Sequence, residues 1–126
     1  MKISPRLKGS GYEKLAEKYL RSRGLKVIAR NFHCRLGEID LILRDRDTIV
    51  FVEVRFRANS RFGSATQSVT ASKQRKIIST AKLFLGKHGL NDKLYCRFDV
   101  LGIEAENDSY RYQWLTNAFS SDDGFQ

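Results

Sequence analysis

The segments Gly37-Glu38-Ile39-Asp40 and Phe51-Val52-Glu53-Val54-Arg55 decide the fold of this chain. Hydrophobic residues alternate with charged ones in both segments, as expected for β-strands with one buried face. Carboxylates without partners are costly inside a sheet, so the acidic residues need a cation, a hydrogen-bond network or a solvent-filled cleft. Such a conflict between local pattern and chemistry is typical of functional sites.

The residues between the two segments predict an antiparallel hairpin. Residues 44–48 form a short charged break of the length that joins two neighbouring strands. Placing Leu41 opposite Val52 matches the hydrophobic faces of the strands, and a shift by one residue would move charge onto those faces. A shift of the strand register by two residues is also compatible with this pattern, because it keeps charge off the hydrophobic faces. The hydrophobic faces are Ile39, Leu41 and Leu43 on one strand and Val50, Val52 and Val54 on the other; the charged pairs are Asp40 with Glu53 and Glu38 with Arg55.

The facing carboxylates have two interpretations. Like charges directly opposite each other on a sheet destabilise it by roughly 0.2–1 kcal/mol. A divalent cation between Asp40 and Glu53 would reverse that effect, and hard oxygen ligands suit Mg²⁺ or Mn²⁺. Alternatively, the acids belong to an ordinary salt-bridged sheet edge, neutralised by Arg55 and nearby arginines. The pattern leaves both interpretations open.

Length and composition predict a single domain. We expect one domain over residues 10–119, preceded by a flexible basic arm at 1–9 and followed by a disordered tail at 120–126. No run of eighteen apolar residues is present, and no apolar segment follows the basic start, so we expect neither a membrane span nor a secretory signal. The two cysteines, Cys34 and Cys96, lack zinc-ligand spacing and favour a reducing, cytoplasmic location.

Charge is distributed unevenly along the chain. Residues 1–101 contain 22 Lys and Arg against nine Asp and Glu, a net charge of +13, whereas residues 102–126 have a net charge of −4. A surplus of this size favours a polyanionic partner, most often nucleic acid. An acidic protein partner is a further alternative.

The hydrophobic periodicity predicts two helices and five strands. The first helix would begin at Ser10, with Glu13 completing a capping box, and end near Gly24. Thr70 is the predicted N-cap of the second helix. The predicted strands are 26–33, 37–44, 48–56, 94–103 and 110–115, the last at a sheet edge. The order αβββαββ indicates an α/β domain with a mixed β-sheet flanked by helices.

Basic residues cluster after the third strand. The polar loop at 57–69 carries Arg57 and Arg61, and the helix that follows carries Lys73, Lys76 and Lys87 on one face. We expect Arg57, Arg61 and the first two of these lysines to contact phosphates, although a solvated helix face would show the same pattern.

The ordered acidic residues resemble a known nuclease core. Asp40 and the segment Glu53-Val54-Arg55, following a helix that carries Glu13, resemble the PD-(D/E)XK nucleases, and the chain is more specifically similar to the YraN-like family of bacterial proteins. That family is similar in turn to archaeal Holliday-junction resolvases, so the resemblance implies a restriction-endonuclease-like fold. The matching stretches are Arg30-Asn31-Phe32, Gly37 to Ile42, Val50 to Val54, Lys73 with its helix, and Arg97-Phe98-Asp99-Val100.

The resemblance implies a metal site and a reaction. Asp40 and Glu53 would bind Mg²⁺ or Mn²⁺, completed by the Val54 carbonyl, and the metal would polarise a phosphate oxygen. Glu13 would be a further acid of the site, although the capping box explains its presence without a catalytic role. The substrate would be the phosphodiester bonds of DNA, branched or otherwise structured. Related resolvases act as dimers, so we also expect a possible homodimer through the final strand.

One residue departs from the nuclease pattern. The third residue of the motif is normally Lys, and this chain has Arg55. Arginine keeps the positive charge and can hold a phosphate through two hydrogen bonds, but it stays protonated and cannot act as a base. The substitution leaves two functions open on the same fold: a metal-dependent nuclease, with Asp40, Glu53, Arg55 and Glu13 as catalytic residues, or a nucleic-acid-binding module with weak or absent catalysis.

Overall fold

The chain folds into two helices and five strands in the predicted order αβββαββ. The structure is a computed structural model and describes residues 9–57, 68–90 and 95–120, with the side chains of residues 9 and 10 left out. Residues 1–8 of the predicted basic arm, residues 121–126 of the predicted tail and Arg61 lie outside these ranges, whereas Gly9 of the predicted arm is the first residue of the first helix. The elements are α1 (Gly9–Ser22), β1 (Lys26–Cys34), β2 (Gly37–Asp45), β3 (Thr48–Arg57), α2 (Ala71–Lys87), β4 (Tyr95–Glu106) and β5 (Ser109–Phe119).

The five strands form one mixed sheet in the order β1-β2-β3-β4-β5. All neighbours are antiparallel except β3 and β4, which are parallel and need the crossover through α2. β5 is an edge strand, as predicted. β4 and β5 approach each other more closely along the chain than predicted because a tight turn joins them at Asn107, whose φ of 55° suits a hairpin turn. β5 also continues past its predicted end to Phe119. Neither helix of the described part is long and apolar enough to cross a lipid bilayer.

The helices cover opposite faces of the sheet, so β3 is buried on both sides. Side chains of β3 alternate between the two faces. The α1 face contains Tyr12, Ala16, Leu20, Leu41, Leu43, Val50, Val52, Leu101 and Ile103. The α2 face contains Ile39, Ile42, Ile49, Phe51, Ile77, Ala81, Phe84, Leu85, Phe98 and Val100.

The predicted hairpin register is confirmed. Leu41 lies opposite Val52, and the paired residues continue from there to Asp45 and Thr48 at the turn. The predicted pairs of Asp40 with Glu53 and Glu38 with Arg55 lie beyond this paired stretch. At that point the Asp40 Oδ2 atom accepts a hydrogen bond of 2.8 Å from the backbone N–H of Val54. A side chain thus takes the place of a strand–strand hydrogen bond where the acidic residues lie.

One detail of the predicted hydrophobic face is wrong. Ile39 packs on the α2 face, whereas Leu41 packs on the α1 face, so the alternation of β2 changes at Asp40. On β1 the residue between the partners of Ile39 and Leu41 is Asn31, whose φ of 49° is left-handed. Such a residue turns the strand locally and re-aims its side chains. This irregularity of β1 and β2 aims Asp40 into the site described below.

Asp99 is a buried carboxylate with a complete set of partners. It is fully buried on β4 and accepts hydrogen bonds from Trp114 Nε1 at 2.9 Å and from the backbone N–H of Asn117 at 2.8 Å. Arg97 Nε lies 3.1 Å from Asp99 Oδ1, and its Nη1 reaches Asp45 at 3.2 Å. The pairing of β4 with β5 is irregular at this position. Asp99 therefore holds the bulged end of β5 against the sheet.

We predict that Asp99→Ala lowers the free energy of unfolding by about 3–5 kcal/mol, because it leaves buried donors and a cation without their partner. Glu104→Ala is the matched control on the same strand, where the pair with the exposed Arg111 is worth about 0–1 kcal/mol. Urea denaturation measures both. Equal losses in the two variants would contradict the structural role assigned to Asp99.

Candidate active site

Two carboxylates lie together in a cleft at the point where β2 and β3 separate. Asp40 and Glu53 both line a cavity of about 390 Å³ there. Helices α1 and α2 both reach this cavity, so four elements of the fold meet in it. The lining residues are Tyr12, Glu13, Glu38, Asp40, Glu53, Val54, Arg55, Phe56 and Lys73.

Glu53 is held by two cations. Its side chain is only 6% exposed, and its Oε2 atom lies 3.0 Å from Arg55 Nη2 and 3.7 Å from Lys73 Nζ. Arg55 comes from the same strand, whereas Lys73 comes from the first turn of α2. Both cations are about one-third exposed, so they lie between the buried carboxylate and solvent.

Burial makes this pair of carboxylates hard to ionise. It raises the pKa of Glu53 to about 7, with the charge of Asp40 adding to the rise and Arg55 and Lys73 opposing it. Burial also raises the pKa of Asp40, while the Val54 N–H and Lys73 act in the opposite direction. Two charges in one buried site cannot both be stable without further compensation. The pair therefore keeps a proton up to near neutral pH unless additional positive charge enters the cleft.

Glu13 lies beside the pair, on α1. Burial and the charge of Asp40 raise the pKa of Glu13, and a hydrogen bond with Asn31 lowers it. Helix α1 begins at Gly9, which places Ser10 inside the first turn, and the Ser10 side chain of the predicted capping box lies outside the described part. The Tyr12 ring stacks on Phe56 with centroids 4.2 Å apart and ties this end of α1 to β3.

Asn31 is a site residue that the sequence pattern did not lead us to predict. Its side chain reaches Glu13, and its left-handed backbone lies across the sheet from Asp40. The sequence does contain a signal for it, because the adjacent polar residues Arg30 and Asn31 interrupt the alternation of β1. Glu38 also lines the cleft, although its side chain is more than half exposed.

The start of α2 is fixed in place by local contacts. The predicted N-cap is confirmed, since Thr70 Oγ1 accepts a 3.2 Å hydrogen bond from the Lys73 backbone N–H. Gln74 Nε2 donates to the Val69 carbonyl at 3.0 Å. At Gly37, a Cβ would lie 3.0 Å from Thr80 Oγ1, so glycine lets α2 approach the start of β2 closely. These contacts determine where the lysines of α2 lie.

The four predicted phosphate-contact residues do not all lie together. Lys73 lines the acidic cleft itself, and with Lys76 it lines an adjoining cavity of about 330 Å³. Arg57 is the last residue of β3 and lies opposite Glu104 in the register of β3 and β4. Arg61 lies outside the described residues.

The donor set fits a divalent cation held by few protein ligands. Within residues 9–57, 68–90 and 95–120, no three His, Cys, Asp or Glu side chains are arranged to hold a metal. Asp40 and Glu53 offer two hard oxygen ligands, and Mg²⁺ keeps several of its waters when it binds to proteins. The raised pKa values of both carboxylates mark a site that more positive charge would stabilise. Asp40 and Glu53 are therefore the residues of the cleft that could supply oxygen ligands to a divalent cation.

Comparisons with known proteins agree on one family. The family model described as uncharacterised protein family UPF0102 matches residues 12–103. A UPF0102 protein of Nitrosococcus oceani is 48% identical over 112 residues, covering 89% of this chain and 90% of the relative. One from Alcanivorax borkumensis is 49% identical over 115 residues, covering 90% and 92%. One from an Enterobacter species is 48% identical over 122 residues, covering 96% and 90%.

Among solved structures, the chain is similar to SfsA of Pyrococcus furiosus in complex with Ca²⁺. The TM-score is 0.44 and the sequence identity is 15%. The match covers 90% of this chain, which spans 64% of the length of that protein.

We predict that Glu53 makes the stability of the protein fall as the pH rises from about 4.5 to about 7. The folded-state pKa of about 7 exceeds the ordinary value of 4.5, so the folded protein binds more protons than the unfolded chain in this window. Glu53→Gln removes this titration. The stability of the wild type relative to Glu53→Gln should therefore decrease across the window and level off above it.

Urea denaturation of both proteins at a series of pH values measures this difference, and the titrations of groups that do not interact with Glu53 cancel. Parallel stability curves across the window would contradict the raised pKa of Glu53.

Proposed function

The chain belongs to the uncharacterised protein family UPF0102, and we propose that it is a metal-dependent nuclease that hydrolyses phosphodiester bonds in DNA. The adjacent carboxylates of Glu53, which is buried, and Asp40, which is partly buried, carry the proposal. The pair opens into a cleft that a phosphate can enter, and two cations lie at its rim. Pairs of buried carboxylates beside positive charge are typical of sites that bind metal ions and phosphates.

In the proposed reaction, Asp40 and Glu53 would hold the cation, and Glu13, which lines the same cavity, would be a further acid of the site. A bound Mg²⁺ would supply positive charge to the phosphate oxygens. The oxygen of an attacking water bonds to phosphorus, and the bond from phosphorus to one ester oxygen breaks. The water loses its proton to solvent through the open cleft, and the leaving oxygen takes one up. One phosphodiester and one water thus become a phosphomonoester and an alcohol.

The basic surface supports a nucleic acid as the substrate. Lys76 lines the cavity that adjoins the acidic cleft, together with His33, and extends the positive charge along the start of α2. The net charge of +9 adds long-range attraction for a polyanion. We further propose that the DNA substrate is branched or otherwise structured. The protein would be cytoplasmic and would form a homodimer through β5. The free thiols of Cys34 and Cys96 are compatible with that location.

A second candidate is a nucleic-acid-binding module without turnover. The observation that favours it is the engagement of Glu53 by both Arg55 and Lys73, because these two cations already compensate part of the charge that a metal would neutralise. Arg55 also replaces the usual lysine of the motif. On this alternative the cleft would serve to bind phosphate.

We predict that wild-type protein with Mg²⁺ or Mn²⁺ cleaves at least one member of a panel of single-stranded, duplex, flapped and four-way-junction DNA. Asp40→Asn should abolish this cleavage with little loss of DNA affinity. The Asn side chain can still accept the hydrogen bond from Val54, so the fold should be kept. Electrophoresis of end-labelled DNA measures the products.

Asp47→Asn is the matched control, because Asp47 is an exposed acid in the turn between β2 and β3. It should cleave as the wild type does. DNA binding without cleavage by the wild type, on every substrate and with either metal, would favour the binding module over the nuclease.

Both candidates predict that Lys76 contributes to DNA affinity through a phosphate. Lys76→Ala should weaken binding and reduce the slope of log affinity against log salt by about 0.9 for duplex DNA, which is the loss of one phosphate contact. Lys87→Ala is the control, because Lys87 is exposed on the same helix roughly 16 Å further along. Fluorescence anisotropy over a range of salt concentrations measures both slopes. Equal slopes for the two variants would contradict the proposed binding surface.

A further inference from the structure

Lys73 lies closer to the acid pair than a peripheral phosphate contact requires. Its Nζ atom is 3.7 Å from Glu53 Oε2, and the side chain is 31% exposed. It lines both the acidic cleft and the adjoining basic cavity. A lysine in this position can meet the buried carboxylate and a bound phosphate together.

The local structure of α2 determines this position. The Thr70 side chain caps the Lys73 N–H, and the Gln74 N–H donates to the Thr70 carbonyl at 2.9 Å. The Gln74 side chain bonds to the carbonyl of the buried Val69. Supporting contacts of this kind hold a functional side chain in a defined geometry. The contacts within the fold therefore present Lys73 to the acid pair.

Arg55, in contrast, is committed to Glu53. Its Nη2 atom lies 3.0 Å from Glu53 Oε2, and its Nε is buried without a hydrogen-bond partner among the described residues. Nε and Nη2 form one of the edges through which arginine holds a phosphate with two parallel bonds. Because Nε is buried and Nη2 already contacts Glu53, Arg55 is suited to orienting Glu53. Lysine has three rotatable donors on a flexible stem and is not restricted in this way.

We propose that Lys73, carried by α2, contacts the scissile phosphate and is the catalytic lysine of this site, while Arg55 is a positioning residue for Glu53. This inference rests on the proposed nuclease function. The ammonium group donates a hydrogen bond to a non-bridging oxygen of the phosphate while the oxygen of water bonds to phosphorus and the ester bond breaks. It keeps its proton throughout, and solvent supplies the proton to the leaving oxygen. The role is charge stabilisation at the reacting group.

The test separates rate from affinity in three variants of one helix. Lys73→Met should lower the cleavage rate at saturating DNA by about 100-fold or more, as for the loss of a donor to a developing charge. Its DNA affinity should fall no further than that of Lys76→Met, a variant that we expect to lose DNA affinity through the loss of one phosphate contact. Lys87→Met should match the wild type in both quantities. Single-turnover kinetics and fluorescence anisotropy supply the two measurements.

Mn²⁺ affinity in the absence of DNA is a readout independent of cleavage. Because the Lys73 ammonium repels a cation near Glu53, Lys73→Met should bind Mn²⁺ at least as tightly as the wild type does, as measured by titration calorimetry. Weaker Mn²⁺ binding would show that the substitution damages the acid site itself and would overturn the assignment.

The remaining outcomes distinguish this inference from the function on which it rests. Cleavage by Lys73→Met at the wild-type rate, with only its DNA affinity reduced, would overturn the role of Lys73 and leave the nuclease intact. No cleavage by the wild type on any DNA would overturn the nuclease and the role of Lys73 with it.

Discussion

The repulsion between two adjacent carboxylates, those of the buried Glu53 and the partly buried Asp40, is the constraint on which the rest of the site depends. Neither group can ionise easily next to the other in a poorly hydrated part of the sheet, and burial accordingly raises the pKa of both. The surrounding elements supply compensation: a backbone N–H from Val54, a guanidinium from Arg55 and an ammonium from Lys73. This compensation is incomplete, since the pKa of Glu53 still lies near 7.

Asp99 shows how the same fold treats a carboxylate that serves structure alone. It is more deeply buried than Glu53, yet an arginine, an indole N–H and a backbone N–H satisfy both of its oxygens. Its surroundings join β4 to the irregular end of β5. The difference between the two sites lies in access to solvent, because Glu53 opens into a cleft and Asp99 does not. An incompletely compensated carboxylate in an accessible cleft is the arrangement expected of a binding or catalytic site.

Much of the fold follows from periodicity and turn chemistry. The alternation in β2 and β3, with a charged turn of suitable length, predicts the pairing of Leu41 with Val52, and Thr70 predicts the start of α2. The order of the elements and the mixed sheet follow from the same local patterns. These predictions succeed because each depends on residues close together in sequence or on one hydrophobic face.

The features that the sequence does not reveal depend on contacts between distant elements. The left-handed backbone of Asn31 and the change of face between Ile39 and Leu41 arise where β1 and β2 bend together. The position of Lys73 depends on how closely α2 approaches Gly37, which helical periodicity does not specify. The pattern of charges identifies the acid pair, but only the packing of α1 and α2 against the sheet identifies the residues that meet it.

The most direct test of the central claim is to locate a metal ion in the cleft. A crystal of the protein grown with Mn²⁺ would give an anomalous difference map that identifies the ion by its scattering. The account predicts a peak at bonding distance from one oxygen of Asp40 and one of Glu53, with water in the remaining positions. A map without a peak in the cleft, with Glu53 still paired to Arg55 and Lys73, would contradict it.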